Sequence, residues 1–353
     1  MDNTQEKALE AVLTKLNKKF GNTSPIGYMP ELVTPLERFS SGSLAVDYVC
    51  GDKFDGGIPK GRTVTLYGPS SGGKTTLALQ IGAACQKQGG VVAIVDAEST
   101  ITEEYCQALG MDTSKLIVTR PETGNEAADI IRDLVNSTVI DLVILDSINA
   151  LVPQDNFDKS FTDNEKMAAD AKLQTQLLKR ITLPLSNTGA TLILIAQTRA
   201  NVHQATPYSP KEILGGSKAV EFFSSIIVKV SKRSAIKEGD EIIGNVCVAT
   251  VEKNKTAAPG RKAEFTIYFG RGVSREKDLI NMGLRTGVLS QSAGWFKYDG
   301  ENLIRGEESL REMLENNPAK AKEIEDQIRS VMSRSTKEMA TEEESGNVED
   351  KQD

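Results

Sequence analysis

The chain has 353 residues, 39% of them hydrophobic, enough for one large packed core with smaller appendages. Its net charge of −7 argues at first sight against nucleic acid. Residues 335–353, however, set Glu338, Glu342, Glu343, Glu344, Glu349, Asp350 and Asp353 against Lys337 and Lys351, so this tail carries −5 and residues 1–334 only −2, which leaves room for a local basic groove. No run of 18 apolar residues exists to span a membrane, the polar start MDNTQEKALE does not read as a secretory signal, and the expected location is the cytoplasm.

In chain order, Ala8, Leu9, Val12, Leu13, Leu16 and Phe20 follow a 3.6-residue period, which predicts an amphipathic helix over 5–20, ended by Gly21. The stripe needs a cover, either its own domain or a neighbouring subunit. A linker with Pro25, Pro30 and Pro35 follows. From about 37 to 270, short apolar runs alternate with helical stretches: TVTLY (63–67), VVAIV (91–95), LVILD (142–146), TLILIA (191–196), SIIVKV (225–230), VCVATV (246–251) and EFTIYF (264–269). The early alternation predicts an α/β fold with a mostly parallel twisted sheet flanked by helices, and the closely spaced last strands an antiparallel edge. Residues 271–330 read as a small α+β domain with the aromatic cluster Trp295, Phe296 and Tyr298. Residues 331–353 read as an acidic, disordered tail. Cys50, Cys85, Cys106 and Cys247 lack CxxC spacing and His203 is the one histidine, so reduced, buried thiols are expected rather than a metal site.

The chemistry concentrates at one loop. Gly68, Pro69, Ser70, Ser71, Gly72, Gly73, Lys74 and Thr75 match GxxxxGK[ST] between a strand and a helix, with Thr76 next in line. Glycines let backbone N–H groups curl around phosphate oxygens, and the helix start adds positive potential. Lys74 is placed to reach the β- and γ-phosphates of ATP, and the Thr75 hydroxyl to ligate Mg²⁺. Asp146, ending LVILD, is the second Mg²⁺ residue. Glu98, after VVAIV, either orients the attacking water or is a solvated loop charge. Gln197, after TLILIA, either touches the γ-phosphate or is an ordinary loop hydrogen-bonder. These residues alone support a P-loop ATPase and no more.

Longer stretches carry a more specific signal. SSGSLAVDYVCG, GPSSGGKTTL, DAES, ALGMD, RPETGNEA, VILDSINALVP, IAQTR, GGSKAVEFF, VEKNKTAAP and GWFKYDGENLIRG resemble bacterial RecA recombinases from about residue 5 to 330. The resemblance implies a RecA-type core with an N-terminal oligomerisation helix, and an ATP-dependent recombinase that filaments on single-stranded DNA and exchanges strands with homologous double-stranded DNA. Glu98 then matches the catalytic glutamate, Tyr105 the residue stacked on adenine, and Gln197 the glutamine coupling ATP to DNA. Lys253 and Lys255 match lysines that reach a neighbouring subunit's ATP, and Phe222 an interface phenylalanine. By residue type alone, Tyr105 reads as a surface helix residue and the lysines as a solvated turn.

The resemblance makes 155–168 and 198–216 the DNA-binding loops. Met167 and Val202 match residues that wedge between bases; Lys172, Thr175, Lys179, Arg199, Gly215, Gly216 and Ser217 match positions near phosphates. It also implies that Leu9, Val12, Leu13 and Leu16 pack on the adjacent protomer of a helical filament, that the tail restrains DNA binding, and that single-strand-binding and loader proteins are partners. The chain departs from the family's usual pattern at Ser70, Gly72, Thr102 and Glu221, and in a second loop with Pro207, Tyr208 and Pro210, which marks a divergent member. A ring helicase on the same core and a nucleotide-regulated recombination mediator are the rival readings. The first has no need of the KNK pair or the 271–330 appendage, and the second has no need of the full set Lys74, Thr75, Glu98 and Asp146.

Overall fold

Strands that are apolar at every position must be covered on both faces, and the arrangement here does that. The computed structural model describes residues 2–21, 26–28, 35–51, 56–154, 166–201 and 212–346. It divides into two units, Met1–Glu37 and Arg38–Asp353. In the first, helix α1 (Asn3–Phe20) opens with a capping box: the Asp2 carboxylate accepts from the Thr4 and Gln5 N–H groups at 2.9 and 2.8 Å, and Gln5 answers the Asp2 N–H. Leu9, Leu13 and Leu16 are half-buried, while Val12 is 52% exposed. The Asn17 side chain pairs with the backbone of Ile26 through two hydrogen bonds.

The second unit begins with β1 (Arg38–Phe39), α2 (Leu44–Cys50) and β2 (Ile58–Pro59), then β3 (Thr63–Gly68), α3 (Lys74–Lys87), β4 (Val92–Asp96), α4 (Glu103–Ala108), β5 (Ile117–Thr119), α5 (Gly124–Asn136) and β6 (Leu142–Asp146). It continues through α6 (Lys166–Thr188), β7 (Thr191–Ala200), β8 (Glu212–Leu214), α7 (Lys218–Phe223), β9 (Ile226–Glu238), β10 (Glu241–Asn254), β11 (Lys262–Tyr268) and β12 (Gly272–Val273). The main sheet runs β12-β11-β10-β9-β3-β7-β6-β4-β5, parallel from β9 to β5 and antiparallel from β9 to β12. The expected antiparallel edge is therefore present.

Period-two alternation splits the core. Leu66, Ile94, Ile144 and Ile195 join one cluster with Leu77 and Ile81 of α3. Tyr67, Val95, Leu145 and Leu194 join the other with Ile131 of α5 and Leu178 of α6. The C-terminal elements are α8 (Arg275–Thr286), a sheet of β13 (Leu289–Ser292), β14 (Trp295–Tyr298) and β15 (Glu301–Arg305), α9 (Glu307–Asn316) and α10 (Pro318–Gly346). Leu279, Phe296, Leu310 and Ile324 pack into the α3 side of the core. In the aromatic cluster, Phe296 and Tyr298 are buried and Trp295 is 40% exposed.

In two places the backbone is more regular than the sequence suggests. Disorder was expected from residue 331, but α10 continues to Gly346, since its Lys, Met, Ala and Glu residues are strong helix formers. The ends of the expected second loop are strand rather than irregular: Thr198 pairs with Leu214, Arg199 with Ile213 and Ala200 with Glu212, so residues 198–200 and 212–214 close an antiparallel ladder. Residues 155–165 and 202–211, including Val202, Pro207, Tyr208 and Pro210, lie outside the described residues, as does 347–353 of the tail. Among the described residues no helix is long and apolar enough to cross a membrane, and all four cysteines are free and buried.

Candidate active site

The glycine-rich loop leaves the carboxyl end of β3, where ligands gather in such sheets. Gly73, which opens α3, has φ +93, a backbone conformation that favours glycine, and a Cβ there would also push the Ile267 Cδ1 methyl aside. Gly72 N–H bonds the Pro69 carbonyl at 3.2 Å, curling the loop. Lys74 is buried, and its ammonium donates to the Pro69 carbonyl at 2.8 Å. Burial lowers its pKa, opposed by the charges of Asp146 and Glu98.

The paired metal candidates do meet: Thr75 Oγ1 donates to Asp146 Oδ2 at 2.8 Å. Burial pushes the Asp146 carboxyl up to about 6, with Glu98 and Asp96 adding to the rise and Thr75 and Lys74 opposing it. Beside it, Glu98 Oε1 accepts from the Ser147 hydroxyl at 2.5 Å and from Gln197 Nε2 at 3.4 Å. Ser147, just past β6, and Gln197, within β7, thus converge on the carboxylate that follows β4. Tyr105, on α4, shares a 2.5 Å hydrogen bond between its hydroxyl and that of Thr76 on α3, so the expected adenine residue is tied to the phosphate loop's helix.

A cleft of about 620 Å³ adjoins Gln197 and is lined by Asn149, Gln174, Thr175, Arg199, Gly215, Gly216 and Ser217 among others. Four of the expected phosphate-facing positions beyond Thr175 (Arg199, Gly215, Gly216 and Ser217) are therefore gathered there. Lys172 and Lys179 are exposed on α6, but Lys179 lines a separate cleft with Leu183, Phe222 and Lys255. Met167 falls in the first turn of α6. Two residues that residue-type reasoning missed hold this cleft together. Gln174 is 4% exposed; its Oε1 accepts from the Ser217 N–H at 2.8 Å and its Nε2 donates to the Ile148 carbonyl at 3.1 Å. Asn149 Oδ1 accepts from the Gln197 N–H at 2.9 Å. An amide just past the strand ending in Asp146 was the available signal for Asn149; Gln174 lay unmarked on a helix.

The lysines of KNK stand apart from this chain's own phosphate loop. Lys253 Nζ donates to the Glu221 and Phe222 carbonyls at 2.5 and 3.1 Å, and Lys255 Nζ to Phe222 at 3.2 Å. Burial and the neighbouring Lys255 lower the Lys253 pKa. Asn254 aligns with Ile226 and Ile226 with Val64, at the amino end of β3. At ~3.3 Å per residue, that is about 13 Å along the sheet from Gly68. Phe222, beside them, is 69% exposed.

Comparison with known proteins agrees with this geometry. Residues 7–274 match the RecA N-terminal domain and residues 277–333 the RecA C-terminal domain. Protein RecA of Arthrobacter sp. (strain FB24) is 39% identical over 328 residues, 93% of this chain and 92% of that one. Protein RecA of Acidothermus cellulolyticus is 40% identical over 93% of each chain, and that of Mycobacteroides abscessus is 39% identical over the same shares. Neither a ring helicase nor a mediator is favoured by matches that run nearly end to end. The chain belongs to the RecA family and is a RecA-type recombinase, a DNA-dependent ATPase of recombination and repair.

Proposed function

We propose that ATP binds on the Gly68–Thr75 loop and Thr76 with its adenine against Tyr105, that Glu98 orients the water attacking the γ-phosphate, and that Gln197 reports the phosphate's presence to the DNA loops. The observation that carries this is the shared Glu98–Gln197 hydrogen bond, because Gln197 lies in β7 directly before residues 198–216 and is itself held by Asn149. The site suits Mg²⁺: a hydroxyl and a buried carboxylate 2.8 Å apart are hard oxygen donors, few enough for an ion that takes its other ligands from phosphate and water. Bound by Thr75 and Asp146, Mg²⁺ would neutralise charge on the phosphates. Lys74 contributes a fixed positive charge at the loop mouth.

Lys253 and Lys255 act on the nucleotide of a neighbouring copy, which their distance from Gly68 in the same chain supports. The interface includes Phe222 and the stripe Leu9, Val12, Leu13 and Leu16, and head-to-tail repetition gives an open helical filament. Single-stranded DNA runs along the cleft of Thr175, Arg199, Gly215, Gly216 and Ser217, with Met167 and Val202 as wedges and Lys172 and Lys179 as outer phosphate contacts. Such contacts do not read sequence; pairing with homologous double-stranded DNA does. Single-strand-binding and loader proteins are the accessory partners, the acidic tail restrains DNA binding, and the protein works in the cytoplasm. Lys74→Ala tests the assignment: DNA-stimulated phosphate release and strand exchange fall by at least ~100-fold with loss of the phosphate-binding charge. Strand exchange that survives this substitution removes the site.

A further inference from the structure

The loop between β4 and α4 carries Glu98, and its shape is organised around a carboxylate that the function above leaves unused. Asp96, at the end of β4, is fully buried. Its Oδ1 accepts from the Thr100 N–H at 3.2 Å and its Oδ2 from the Ile101 N–H at 3.1 Å. The Asp146 carbonyl accepts from the N–H groups of Ala97 and Glu98 at 2.8 and 3.2 Å. Ser99 has φ +53, a region that residues with a side chain seldom adopt, so the loop reverses sharply one residue after Glu98.

The remaining link comes from another element. Arg120, just past the edge strand β5, donates from Nε to Asp96 Oδ2 at 3.3 Å and from Nη2 to the Ile101 carbonyl at 2.8 Å. One planar fork therefore grips both the hub of the loop and its far end. Arg120 makes no hydrogen bond to the phosphate loop, and α4 has its own anchors: Thr102 caps it and Tyr105 bonds Thr76. The guanidinium side chain is 55% exposed while the Asp96 carboxylate is fully buried, so removing the cation leaves that carboxylate to its two backbone N–H donors alone.

We propose that Arg120 is a positioning residue for hydrolysis, holding the 96–101 loop through Asp96 and Ile101 so that the Glu98 carboxylate stays aligned with the attacking water. This rests on Glu98 being the hydrolytic carboxylate. An error of about 1 Å in such a group can cost up to ~100-fold in rate; binding, which rests on the phosphate loop, α3 and Tyr105 of the separately anchored α4, is left alone.

The test measures DNA-stimulated phosphate release by the full chain and its variants R120A, R120K and E98Q. R120A loses kcat by roughly tenfold or more while KM for ATP stays within about twofold, whatever melting shift follows from unpairing the buried Asp96. R120K recovers part of the loss, since an ammonium can reach one acceptor but cannot span both. Unchanged kcat in R120A beside an inactive E98Q overturns the proposal and leaves the Glu98 assignment standing. So does a kcat loss accompanied by a raised KM, which makes Arg120 a structural residue. E98Q that turns over ATP at the unsubstituted rate removes the Glu98 assignment itself and the proposal with it.

Discussion

A carboxyl buried with an oxygen unpartnered is costly to ionise, and Asp278 is such a group. It is fully buried on α8; it accepts from the Ser43 hydroxyl and, at 3.5 Å, from the Ala45 N–H, while its Oδ1 has no partner among the described residues. Burial, aided by the charge of Asp47 and opposed by those hydrogen bonds, pushes its pKa up to about 7. An unfolded Asp releases its proton near pH ~3.9. Between these values the folded chain holds a proton that the unfolded chain has lost, so this contribution is complete below pH ~4 and disappears as pH rises through about 7. Asp278→Asn is isosteric with the neutral acid. In urea titrations from pH 5 to 7.5, the unsubstituted chain is expected to lose stability with rising pH by more than D278N; parallel slopes for the two would show that Asp278 does not titrate here. At this scale the phosphate loop was legible in the sequence because its chemistry is local: glycines, a lysine and a hydroxyl in consecutive positions. Arg120 and Asn149 were not, because their partners lie 24 and 48 residues away. Tyr105, Lys253 and Lys255 acquired roles only through the family resemblance.

Elements were easier to read than their joints. Each long apolar run of the sequence became a strand, and α1 follows its stripe, since burial on one or two faces imposes a period. The edge strand β5 escaped notice: three residues of half-exposed backbone hydrogen-bonding to one neighbour carry no pattern. The β7–β8 ladder escaped as well, since polar residues can pair by backbone alone. How α6 joins the turn before α7 is likewise invisible in sequence, and it rests on Gln174. Leucine at 174 fits the volume but leaves the part-buried Ser217 N–H and the buried Ile148 carbonyl without this partner. An unmade buried hydrogen bond costs about 1–3 kcal/mol per group, so Gln174→Leu should lower the free energy of unfolding by about 2 kcal/mol or more. Gln176→Leu, two residues on and exposed, should stay within about 0.5 kcal/mol. Denaturant unfolding of the two variants decides it, and equal stabilities would refute the hinge role of Gln174.

Two of the residues proposed for hydrolysis stand at the far end of β3 from the chain's own phosphate loop. The phosphate loop, Glu98 and Gln197 sit at the carboxyl ends of the parallel strands. Lys253 and Lys255 sit at the opposite end of β3, on the carbonyls that close α7 and beside the exposed ring of Phe222. If those lysines serve the nucleotide of the next copy, as proposed, the site is completed only between copies, through a head-to-tail contact that forms an open filament where its rotation does not close. Two inactive variants should therefore rescue each other. In K74R the loop keeps its charge for assembly but loses the fit of the lysine; in K253A/K255A the loop is intact and the reaching lysines are gone. Each alone should hydrolyse ATP at a few per cent of the unsubstituted rate or less. Mixed in equal amounts on single-stranded DNA, about one interface in four joins an intact loop to intact lysines by random order, so activity should return to roughly a quarter of the unsubstituted level. A mixture no more active than the sum of its parts, with both variants assembling on DNA, would mean that the lysines serve their own chain and that the site is not shared.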